Sequence, residues 1–196
     1  MDEEGLVSLL SLLKSEVRDS ESMEIGHLQD LAVDLRETPP RVTELAVHLD
    51  WTDRVGEVLL PRAVEDIVLL LPWSEVESWD RDGFRLRSPH PAFPVVSAGG
   101  KVLLRRDLLN KQLLDEEGNR LHRVDDVLLR REGLMLLLEG LQVGTEWLPL
   151  GGRFNDLLSR LRKSYGRGRE EGDAGLVPYQ AILRVDEEAI TIRSRL

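Results

Sequence analysis

The sequence predicts a mainly β protein: two small β-barrels with short helices, arranged in tandem as copies of one design. Three observations carry this expectation. One segment recurs 96 residues further along the chain, and a second recurs in the same order. Short alternating apolar runs bounded by turn-forming residues account for much of the rest.

The first repeat sets residues 12–33, "LLKSEVRDSESMEIGHLQDLAV", above residues 108–129, "LLNKQLLDEEGNRLHRVDDVLL", without a gap. Val17 falls on Leu113, Asp19 on Asp115, Ile25 on Leu121, Leu28 on Val124 and Asp30 on Asp126. The second sets residues 70–88, "LLPWSEVESWDRDGFRLRS", above residues 176–194, "LVPYQAILRVDEEAITIRS", at an offset of 106 (176 − 70). Here Pro72 meets Pro178, Trp73 meets Tyr179, Asp80 meets Asp186 and Phe84 meets Ile190. Two long copies imply paired domains rather than a solenoid, which stacks shorter units at least about three times. The expected boundaries are a first domain over 1–88, a Pro/Gly linker over 89–100 and a second domain over 101–196. That second domain carries a basic helix-loop insertion near 152–173.

Element by element, "LVSLLSLLKS" predicts a short helix before the first hairpin, and "RFNDLLSRLRKS" predicts another inside the insertion. In the hairpin, Ile25, Leu28 and Leu31 are spaced by three, which breaks the period of two and predicts a bulge in a long strand. "VTELAVHL" alternates strictly and predicts a half-buried strand, with Thr43, Leu45, Val47 and Leu49 on one side and Glu44, Ala46 and His48 on the other. "GFRLRS" and "AITIRS" read as further strands after acidic turns. The linker "SPHPAFPVVSAGG" blocks regular structure with its prolines and glycines. Its Phe93, Val95 and Val96 are apolar enough to predict packing along one domain.

The stretch "LLDEEGNRLHRVDD" at 113–126 invites comparison with a calcium loop. An EF-hand loop places Gly at its sixth position, whereas the sixth residue from Asp115 is Arg120, and the first copy reads "DSESM" at the equivalent place. The segment therefore reads as a hairpin turn. Asp30 and Asp126 are expected to order the bulge through bonds to backbone amides rather than to work as catalytic carboxylates.

Chemistry-bearing patterns are sparse. There are no cysteines, so disulfides, thiolate nucleophiles and cysteine zinc sites drop out together. The four histidines form no HExxH and no i, i+4 pair, and "AGGKV" lacks the remainder of a phosphate loop. The expectation is no catalytic residue, no cofactor and no metal site. With Asp and Glu exceeding Lys and Arg by 36 to 26, the net charge of −10 opposes nonspecific binding to nucleic-acid backbones, DNA and RNA alike. No apolar run spans a bilayer, and the acidic N-terminus lacks the basic start of a secretory signal, which predicts a cytoplasmic protein. Two features stand out as a candidate interaction surface. One is the local basic stretch Arg153, Arg160, Arg162, Lys163, Arg167 and Arg169. The other is the recurrent aromatic pair Trp73 and Tyr179.

The repeated hairpin, with an Asp before the turn, a Gly or its substitute, and then a hydrophobic–x–Asp strand, resembles the leading hairpin of PRC-barrel domains. "LLPWSEVESW" and "LVPYQAILRV" resemble their closing strands. The likeness is nearest to the tandem PRC-barrel region associated with MgtE-type magnesium transporters, and it covers most of the chain. Ser22 stands where a turn Gly is usual, and His122 where the family often has Gly, as at Gly26. Relatives continue into helical, CBS and membrane domains near the point where this chain reaches Leu196. The resemblance implies a non-catalytic interaction or regulatory module. Its partner would be a protein: a membrane transporter or its cytoplasmic domains, met at the inner face of the membrane. A ribosome-assembly role is the alternative, since other PRC-barrels serve ribosome maturation. An enzyme with a site between two barrels is the third reading. Exposed strand edges leave a twofold homodimer open.

Overall fold

The computed structural model describes residues 5–49, 68–80, 82–90, 92, 94–97, 99–144 and 175–193. The chain divides into two compact units. The first comprises residues 1–106 with 129–138, and the second residues 107–128 with 139–196.

The first sheet contains β2 (Glu16–Arg18), β3 (Glu24–Val33), β4 (Val42–His48), β5 (Val68–Pro72), β6 (Val76–Trp79) and β7 (Gly83–Leu86). Their order is β5-β4-β3-β2-β7-β6, and β8 (Val102–Leu103) pairs with β3 off this path. The two edge strands, β5 and β6, are joined by only the 3-10 turn Trp73–Glu75. A link of three residues spans roughly 10 Å at most, so the first and last strands start close together and the sheet must curl round on itself. β2 and β7 run parallel, with Val17 beside Phe84, while the remaining pairs are antiparallel.

The second sheet contains β9 (Gln112–Leu114), β10 (Arg120–Glu132), β11 (Met135–Val143), β12 (Gly175–Pro178), β13 (Ile182–Val185) and β14 (Ala189–Ile192). Their order is β12-β11-β10-β9-β14-β13, and β1 (Gly5–Ser8) pairs with β10 off this path. Strand for strand this matches the first sheet. The parallel pair β9–β14 sets Leu113 beside Ile190, the residues that the sequence alignment places on Val17 and Phe84. Its edge strands are joined by the 3-10 turn Tyr179–Ala181, so it curls for the same reason. The protein is mainly β with two curled sheets.

Backbone hydrogen bonds repeat at the offsets read from the sequence. The Lys14 amide donates to Leu28, and the Asn110 amide to Val124. Likewise Asp80 donates to Gly83 and Asp186 to Ala189, while Arg87 donates to Glu75 and Arg193 to Ala181. The left-handed positions repeat too. Lys14 has φ 69° and Asn110 φ 62°, while Ser22 has φ 68° where its counterpart Gly118 has φ 83°. The turn glycine of the second copy is thus replaced in the first by a serine that keeps the glycine's backbone angle. L-residues pay about 1–2 kcal/mol for that conformation. Arg85 donates to Ser22 Oγ at 3.0 Å and Arg18 to Ser22 O at 3.1 Å, which offsets part of the cost.

The expected bulge is present: the β3–β4 register shifts between Leu28 and Asp30 and again between Ala32 and Val33. Two expectations change. The first helix shrinks to Leu9–Leu12, because Gly5–Ser8 is drawn into strand pairing as β1; Ser8 caps the remaining turn by accepting from Ser11 N. β4 is not one-faced, since Glu44, Leu45, Ala46 and Val47 are all buried. It lies between β3 and β5, and its would-be outer face is covered at Glu44 by Lys101. The linker side chains Val95 and Val96 remain exposed, although the Val96 amide donates to Leu70 O on the edge strand β5. The helix expected over "RFNDLLSRLRKS" and the side chain of Phe93 lie outside the described residues.

Candidate functional site: buried carboxylates and paired aromatics

Four acids are buried among the described residues: Asp19, Asp30, Glu44 and Asp126. A buried carboxylate is costly unless its charge is met by hydrogen bonds or a partner ion, so their surroundings decide what they can do.

Asp19 closes the first hairpin turn. Its Oδ1 accepts from the amides of Glu21 (2.9 Å) and Met23 (2.8 Å), and its Oδ2 from the amide of His90 (2.9 Å). Burial pushes this carboxyl up, but the amides of His90, Met23 and Glu21 outweigh it and hold the group below the usual carboxylate range. Asp115 does the same work in the second hairpin. Its Oδ1 accepts from the amides of Glu117 and Asn119, and its Oδ2 from Asn119 Nδ2 at 2.8 Å. The Asn119 side chain is the leading reason that Asp115 is held low. The acidic loop at 113–126 is therefore a hairpin turn whose first carboxylate is engaged by its own residues.

Asp30 and Asp126 recur as a pair as well. Each accepts from the amide that follows it, Leu31 and Val127 respectively, both at 2.7 Å. Asp30 also accepts from the amides of Arg105 at 2.7 Å and Arg106 at 3.0 Å, which fixes the turn Leu104–Leu108 against β3. Glu44 has a different partnership. Thr43 Oγ1 donates to its Oε2 at 2.7 Å, and Lys101 forms an ion pair with its Oε1. These partners are backbone amides or neighbouring side chains of the scaffold, which positions these acids to hold the fold together.

Trp73 and Tyr179 open equivalent 3-10 turns, each after a proline in extended conformation and each in its own unit. Trp73 is half-buried and packs edge-on against Phe84, with centroids 6.2 Å apart and planes at 79°. Its Nε1 is buried without a hydrogen-bond partner. A tryptophan so packed serves the core first. The more connected aromatic is Trp79, whose ring stacks on Phe84 at 6.1 Å. Within the first unit, the Arg131 guanidinium lies 4.1 Å over the Trp79 ring, and Trp79 Nε1 donates to Leu134 O at 2.9 Å. Nothing in the local pattern around Trp79 marks out its contacts with Arg131 and Leu134, because both lie more than 50 residues away.

The basic residues Arg153, Arg160, Arg162, Lys163, Arg167 and Arg169 lie outside the described residues. Among the described residues no group of three or more His, Asp or Glu side chains is arranged to hold a metal ion, and no helix is long and apolar enough to cross a membrane. The sheet register does place His27 opposite His48, an adjacency that sequence spacing cannot reveal.

Fold and site together define a mainly β scaffold with two alike curled sheets and buried acids engaged by its own backbone and side chains. No protein-family model matches the chain, and no curated protein matches it.

Proposed function

We propose that this chain is a non-catalytic tandem PRC-barrel module, descended from an internal duplication, that docks on or regulates a membrane transport system of the magnesium-transporter kind. The observation that carries the reading is the recurrence of one strand order and one set of backbone bonds in both sheets. It supports two copies of a single domain design. The engagement of Asp19, Asp30, Asp115 and Glu44 by scaffold donors supports a binding role over chemistry. The partner is a protein at the cytoplasmic membrane face, and the edge strands of the two sheets support self-association as part of the same reading. A ribosome-assembly adaptor is the second reading, favoured by the six basic residues between 153 and 169 in an otherwise acidic chain.

The test is affinity capture with the tagged full-length chain from lysate of its own organism, keeping membrane and ribosomal fractions apart, with and without nuclease. Recovery of a transport protein from membranes, unaffected by nuclease, is the expected result. Recovery of ribosomal proteins instead would replace this reading with the second.

A further inference from the structure

We propose that His27 and His48 form a two-imidazole site for a borderline divalent transition ion such as Zn²⁺. The two residues are direct partners across the antiparallel β3–β4 pair. Opposed residues in such a pair project to the same face, with Cβ atoms roughly 4.5–5.5 Å apart. The next pair inward, Leu28 and Val47, is fully buried, at 1% and 0% exposure. Strand alternation then puts the histidine pair on the opposite, outer face, where both are half-buried. The first register shift falls beyond Leu28, so this row lies in the regular part of the ladder.

Metal–imidazole bonds of about 2.0–2.1 Å let one ion bridge two rings rooted that close together. Imidazole suits Zn²⁺, Cu²⁺ and Ni²⁺, whereas Mg²⁺ prefers oxygen ligands. The surroundings favour a cation. Glu16 is the partner of His27 on its other side, across β2, so acid, imidazole and imidazole form one transverse row. Glu24 Oε1 lies 4.0 Å from His27 Nε2. A carboxylate at that distance does not hydrogen-bond the ring, but its charge adds attraction for a cation held there. Two protein ligands leave the remaining coordination positions to water, so the site is an open one. Gly26 keeps the strands close: its φ is +150°, and a Cβ there would stand 2.0 Å from His48 O. The second copy carries His122 at the position of Gly26, so the arrangement belongs to the first unit.

The test titrates ZnCl₂ into the untagged full-length chain by calorimetry, beside His27→Asn, His48→Asn and His122→Asn. The expected result is one Zn²⁺ per chain, with affinity at least about tenfold weaker in each of the first two variants and unchanged in the third. Excess MgCl₂ leaves the Zn²⁺ affinity of the wild type unaltered. Wild-type affinity in His27→Asn or His48→Asn overturns the proposal, as does equal loss in His122→Asn or competition by Mg²⁺. Imidazole NMR signals of the wild type provide a readout independent of variant folding. Zn²⁺ must shift those of His27 and His48 together and spare those of His90 and His122; any other pattern overturns the site.

Discussion

Replacing Asp30 by alanine tests the scaffold reading of the buried acids most directly. The side chain is 5% exposed and accepts three amide bonds, from Leu31 and Arg105 on Oδ1 and from Arg106 on Oδ2. Alanine leaves all three amides without this acceptor and detaches the turn that carries Leu104 and Leu108, both 0% exposed. Hydrogen bonds to a charged group contribute about 1.5–3 kcal/mol each, but solvent reaches the exposed Arg105 and Arg106 and recovers part of the loss. A net cost of about 3–5 kcal/mol follows, a large share of the ~5–15 kcal/mol that stabilises a typical domain. Asp30→Asn keeps an oxygen for Leu31 and Arg105 but sets an NH₂ against the Arg106 amide, so its cost is about half as large. Urea unfolding followed by tryptophan fluorescence reads this well, because Trp73 and Trp79 lie in the same unit as Asp30. A loss below about 1 kcal/mol in Asp30→Ala, or no difference between the alanine and asparagine variants, would refute the reasoning.

Four other outcomes follow from the geometry. A double-mutant cycle between Trp79→Leu and Arg131→Met should return a coupling of about 0.5–2 kcal/mol from the cation–π contact, and additive losses in urea unfolding would deny it. Gly118→Ala should cost about 1–2 kcal/mol from its backbone angle alone, because a Cβ there meets nothing within 4 Å. Ser22→Gly should be neutral or stabilising by up to about 1 kcal/mol, and paired thermal melts of the two variants check the opposite signs. Asp19 titrates below its ordinary 3.8, so its contribution is fully present above that pH and is lost as acid carries the pH down through the folded value. The stability gap between the wild type and Asp19→Asn should therefore be constant from pH 5 to 7 and shrink below about pH 4. A gap that widens on acidification in urea titrations would reverse the assignment.

The sequence by itself determined the local design of this protein. Asp19 and Asp115 at the hairpin turns, the turn positions at 22 and 118, and the bulge after Leu28 were legible in it, unlike the 3-10 turns at Trp73–Glu75 and Tyr179–Ala181. Each depends on hydrogen bonds or steric preferences among residues close together in the chain, so residue type and spacing suffice. The tertiary structure alone decided that β8 pairs with β3 and that β2 runs parallel to β7. It also decided that Glu44 is buried beside Lys101, that Arg131 covers Trp79, and that His27 faces His48. These are pairings between distant segments. Alternation within a strand says which residues share a face, but not which strand lies alongside or in what register. That choice is made by the packing of the whole sheet, where a one-residue slip would turn every buried side chain outward.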